Sequence, residues 1–122
     1  MGLDNWNTSN VTSMLNMFAG VGLSASTWSI GDLSDWDVSS VTNMSSMFYS
    51  AGIGATIWDI GDISRWDVSN VTEMFRMFER AGYSATYNLD LSSWNVGLVT
   101  SYGDFNNGVT DKITPPVWNA SS

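Results

Sequence analysis

The chain has 122 residues, enough for one modest core, and carries 12 Asp plus Glu against four Lys plus Arg, a formal net charge of −8. That balance repels phosphate backbones and anionic headgroups, so nucleic-acid binding and membrane-surface binding are excluded as first expectations. The absence of Cys and His removes disulfides, thiolate chemistry, the Ser-His-Asp triad and the commonest transition-metal ligand.

A repeat organises the chain. Trp6, Trp36, Trp66 and Trp94 are 30, 30 and 28 residues apart, and Val11, Val41, Val71 and Val99 keep the same offsets. Met14, Met44 and Met74 recur at 30, as do Phe18, Phe48 and Phe78. A period in this range marks stacked units that share one core. The expected units are 3–32, 33–62, 63–90, a degenerate fourth at 91–108, and a C-terminal cap at 109–122 closed by Pro115-Pro116. Leu3 sits on the column of Leu33, Ile63 and Leu91, so the chain reads as starting inside a unit. An uncapped first face would fray or bury itself in a two-fold end-to-end homodimer.

Within each unit one half suggests a helix. Met74, Met77, Phe78 and Ala81 fall at i, i+3, i+4 and i+7, Asn70 and Glu73 have capping-box spacing, and Gly82 follows as a C-terminal cap. Helices are expected near Thr12–Gly20, Thr42–Ser50 and Thr72–Arg80. The other half, typified by Ile57-Trp58-Asp59-Ile60, suggests short parallel strands near Ser29–Leu33, Asp59–Ile63 and Leu89–Leu91. The expected fold class is therefore α/β: a right-handed leucine-rich-repeat-like solenoid with one strand and one helix per unit.

Ser64-Arg65-Trp66-Asp67-Val68-Ser69-Asn70-Val71-Thr72-Glu73-Met74-Phe75-Arg76-Met77-Phe78 resembles the repeat of BspA-like leucine-rich-repeat surface proteins, and Ser34–Phe48 and Trp6–Phe18 match it too. The resemblance implies a bacterial cell-surface or secreted protein used in adhesion or recognition, without catalytic activity and with no ligand shared across the family; the expected partner is a host or matrix protein or a glycan.

Few residues stand out as sites. Trp28 and Trp58 precede the strands in the looped half; if exposed, their faces would stack on a sugar or a peptide. Asp32, Asp62 and Asp90 form one acidic column, and Asp37 and Asp67 another, continued by Asn95. Oxygen ligands suit calcium, while Asp and Ser capping turn amides is the competing structural reading. Asp35 with Asp37, or Asp59 with Asp62, are the carboxylate pairs a glycosidase would need. Asn10, Asn70, Asn7, Asn43 and Asn119 open formal glycosylation sequons, most of them by-products of the repeat. A structural spacer is the alternative to a recognition module.

Overall fold

In each of the first three units the amides from the leading Met (Met14, Met44 or Met74) onward divide their work between two kinds of hydrogen bond. In the computed structural model, which describes residue 3 and residues 6–118, the amides of Met14, Asn16, Phe18 and Gly20 donate to the carbonyls of Asn43, Ser45, Met47 and Tyr49 in the next unit. Those of Met44, Ser46, Phe48 and Ser50 donate to Glu73, Phe75, Met77 and Glu79, and the pattern repeats onto Ser101, Gly103, Phe105 and Asn107. The intervening amides close reverse turns: Met17 onto Met14, Val21 onto Phe18, Met47 onto Met44 and Ala51 onto Phe48.

The expected helices are therefore absent among the described residues, and the helix-and-strand leucine-rich-repeat-like solenoid is overturned. An α-helix needs each amide to reach the carbonyl four residues back and needs negative φ throughout. Here alternate amides leave for the neighbouring unit. The third residue of each turn has positive φ: Asn16 at 59°, Ser46 at 57°, Ser50 at 56°, Arg76 at 57°, Arg80 at 58° and Asp104 at 57°, with Gly20 and Gly108 in the same role. Turns closed at i+3 and following one another every four residues point side chains inward at i, i+3 and i+4, the spacing a helix face has.

Strand structure is sparse. β1 (Thr27–Ser29) pairs in parallel with β2 (Ile57–Asp59), and β3 (Leu89–Asp90) with β4 (Ile113–Thr114). Trp28 faces Trp58 in register. The two pairs are not joined, for a reason visible in the sequence. Buried Ala55 and Ile63 are eight positions apart, whereas their counterparts Ala85 and Leu91 are six apart. The third unit has no counterpart of Ile57 and none of Gly61, and a ladder cannot hold its register through two such losses. A short 3-10 turn, Ile63–Arg65, capped by Asp62, sits at this place.

The core consists of columns. Trp36, Trp66 and Trp94 stack 6.4 and 6.3 Å apart, and each indole N–H donates to a carbonyl one unit back, that of Leu3, Leu33 or Ile63. Phe18, Phe48 and Phe78 stack at 5.4 and 5.2 Å. At the C-terminal end Trp118 stacks on Tyr102 at 4.3 Å and meets Phe105 edge-on at 5.0 Å; residues 119–122, with the Asn119 sequon, lie outside the described residues. Trp6 heads its column and is 53 % exposed. Along the first unit the carbonyls of Leu15, Met17 and Ala19 take no donor among the described residues, while their amides are already used in turns or on the Ser13 hydroxyl. A two-fold pairing of that edge would set acceptor against acceptor over this stretch.

The turn geometry gives a direct expectation. Ser46 is a non-glycine residue with φ near 57°. Ser46→Val should destabilise by about 1–2 kcal/mol, since a β-branched side chain is worst placed in the left-handed region, and Ser46→Gly should be neutral or stabilising. Urea titration of both variants checks it; a helical segment here would give the opposite order.

Candidate functional site

Two of the concavities formed by the described residues are roomy enough for a small ligand. The larger, about 690 Å³, opens at the seam where β2 and β3 fail to pair, and Asp59, Asp62, Asn88, Asp90, Ser64 and Ser92 line it. It is acidic, but its carboxylates are engaged locally. Asp59 accepts from the Gly61 amide at 2.9 Å, Asp62 from the Ser64 amide and hydroxyl at 3.1 and 2.6 Å, and Asp90 from the Ser92 amide at 3.0 Å.

The same device recurs along both acidic columns. Asp32 caps Ser34, Asp37 caps Ser39 and Asp67 caps Ser69, through one oxygen each. These short bonds hold the carboxyls of Asp32, Asp37, Asp67 and Asp90 below their ordinary 3.8, the Ser34 amide acting first on Asp32 and the Ser39, Ser69 and Ser92 hydroxyls on the other three. All four are exposed. Among the described residues no three carboxylates converge closely enough to hold a metal ion. The calcium columns proposed from sequence thus lie on the surface as rows of turn caps. A glycosidase acid needs a carboxyl raised toward neutrality, and Asp37, a member of one candidate pair, is shifted the other way by the Ser39 hydroxyl and amide. Asp35 is an exposed partner of Arg65 at 3.8 Å.

Lowered folded pKa values carry a sign for stability. The unfolded chain binds protons more readily than the folded one below about pH 4, so the stabilisation is complete above the ordinary value and is lost as pH falls through the lowered ones. The thermal midpoint should hold from neutrality to about pH 5 and fall below about pH 4. Asp67→Asn should flatten part of that fall, which calorimetry across pH would measure.

Trp28 and Trp58 are only 5 % and 6 % exposed. They stack on each other at 5.5 Å, Tyr87 continues the column 4.7 Å from Trp58, and the Trp58 indole donates to the Ala51 carbonyl. Their faces are spent on the core, so the exposure that a sugar-stacking role required is not met.

The second concavity, about 410 Å³, lies in the looped half further round the unit and is lined by Ile53, Arg80, Tyr83, Asn107 and Gly108. The shared ladder builds it. The Arg80 amide donates to the Asn107 carbonyl at 2.9 Å, and the Ser84 amide to the Ile53 carbonyl at 3.2 Å, placing Tyr83 over the neighbouring unit's loop. Tyr83 is 55 % exposed. It stands on the repeat column of Leu23, also 55 % exposed, and half-buried Ile53. Sequence reasoning missed this groove. The signal was the column 23, 53, 83, apolar in all three units and set between the recurring Gly22, Gly52, Gly82 and Ala25, Ala55, Ala85 columns.

The family model for the Mycoplasma protein of unknown function, DUF285, matches residues 1–114. The chain belongs to that family. No curated protein and no solved structure matches it. Among the described residues no helix is long and apolar enough to cross a membrane.

Proposed function

We propose that the chain is a non-enzymatic recognition module of a bacterial cell-surface or secreted protein, offering the looped half of its repeats to a protein or glycan partner. One observation carries this reading: Leu23, Ile53 and Tyr83 line up on one side, two of them more than half exposed, beside a groove that holds an arginine and an amide. The other apolar columns of the repeat are spent on the core, and an aligned exposed stripe is the feature a binding face has and a bare spacer lacks. The resemblance of Ser64–Phe78 to adhesin repeats supports the same reading, and the family's Mycoplasma attribution supports a bacterial source.

The in-register stack of rigid units is also what a stalk needs, so the spacer is the competing reading. A glycan and matrix-protein array probed with the chain and with Tyr83→Ala separates them. Retention of the chain and loss with the variant are expected. If no array element retains the chain, the spacer reading stands.

A further inference from the structure

Among the four cations, Arg80 stands apart. Arg65 pairs with Asp35, Arg76 with Glu79 and Asp104, and Lys112 with Asp111. Arg80 has no carboxylate within ion-pair distance among the described residues, in a chain whose net charge is −8. Its backbone is left-handed, at φ 58°, where the matching positions of the first and fourth units are Gly20 and Gly108. A long side chain is disfavoured there. Gly108 opposite leaves it room: a Cβ on Gly108 would lie 3.2 Å from Arg80 Cγ and 3.8 Å from Tyr83 Cδ1.

The groove thus sets three kinds of contact around one space. The guanidinium is a planar, permanently charged fork that takes a carboxylate through two parallel hydrogen bonds. The exposed Tyr83 ring is a flat apolar face with a hydroxyl at its tip. The Asn107 side chain offers both a donor and an acceptor for hydroxyl groups. A volume of about 410 Å³ is at the small end of ligand sites, suited to one or two rings. An extended peptide would want free backbone groups along the groove, but the Arg80 and Ser84 amides are already bonded within the protein. A dense polyanion would be repelled by the acidic remainder of the surface.

We propose that the groove formed by Ile53, Arg80, Tyr83 and Asn107 is a subsite for a carboxylate-bearing saccharide, the carboxylate on Arg80 and a ring face on Tyr83. This rests on the recognition reading above and names the ligand class for it. The probes are methyl glucuronide, methyl glucoside and a glutamate-containing tripeptide, each titrated into the isotope-labelled chain and followed by amide and side-chain NMR shifts. Shifts confined to the surroundings of residues 53, 80, 83 and 107 are expected with the glucuronide, with the glucoside at least about tenfold weaker. Arg80→Gly, which installs the residue found at position 20, should keep the fold and lower glucuronide affinity roughly tenfold or more. Arg80→Lys should restore part of it. Absence of shifts, equal binding of the neutral glucoside, indifference to Arg80→Gly, or tighter binding of the tripeptide would each overturn the proposal. If the glucuronide fails while Tyr83→Ala still abolishes retention on the array, the sugar-acid class falls and the recognition reading survives; if both fail, both fall.

Discussion

Phe48→Ala should lower the unfolding free energy by about 3–5 kcal/mol. Phe48 is fully buried and stacks between Phe18 at 5.4 Å and Phe78 at 5.2 Å, and Trp58 meets it edge-on at 6.2 Å. Truncation removes the ring from a column whose neighbours are fixed by ladder bonds on both sides, so the cavity cannot collapse. From the sequence, Phe105 is expected to matter less because it lies near the C-terminal cap. The structure revises that: Phe105 is 3 % exposed and packed edge-on between Phe78 and Trp118, so Phe105→Ala should cost nearly as much. Urea denaturation of the two variants decides it, and a loss under about 1 kcal/mol at Phe48 would mean the column is not continuous.

Gly52→Ala should be as damaging as either truncation, through the opposite fault. Gly52 has φ 59°, and a Cβ there would fall 2.7 Å from Trp58 Cδ1 and 2.9 Å from both Cβ and Cγ of Trp28. The left-handed strain and the overpacking add, for about 2–5 kcal/mol. The obstructing atoms belong to two buried, mutually stacked indoles, which have nowhere to go. Gly20→Ala is the control: its φ is 69°, but nothing lies within 4 Å of the added atom, so only the backbone strain should appear. Equal thermal midpoints for the two variants would contradict the packing described around Trp28 and Trp58.

The columns were legible in the sequence because burial follows the period. Trp36, Trp66 and Trp94, Met44 and Met74, and Phe48 and Phe78 all lie inside. The backbone that carries them was not legible. Met74, Met77, Phe78 and Ala81 have the spacing of a helix face, and a chain of turns closed at i+3 produces that spacing as readily. What separates the two is the third residue of each turn: Asn16 and Gly20 in the first unit, Asp104 and Gly108 in the fourth, residue types that accept positive φ. In the third unit Arg76 and Arg80 hold those places, and there the signal vanishes. The acidic columns were seen, with turn capping set beside calcium, and the hydrogen bonds to Ser34, Ser39, Ser64, Ser69 and Ser92 place the carboxylates as caps. The Tyr83 groove depends on side chains contributed by three units at once, which no single-unit pattern displays.

The alternation of amides along Met14–Gly20 and its counterparts makes these stretches sensitive to odd and even. Inserting one residue between Met44 and Ser50 would hand every inward-closing amide the outward-reaching role and the reverse, and the whole strip would lose its partners on both sides. The strip keeps one length through all four units, from Met14–Gly20 to Tyr102–Gly108, while the strand half has already dropped two residues between Ala85 and Leu91. Change in length is admitted on one side of the molecule and refused on the other. A lineage of such proteins is therefore free to reshape the seam at Asn88, while the strip and the equally constant Gly82–Ala85 loop form a scaffold that counts its residues in pairs.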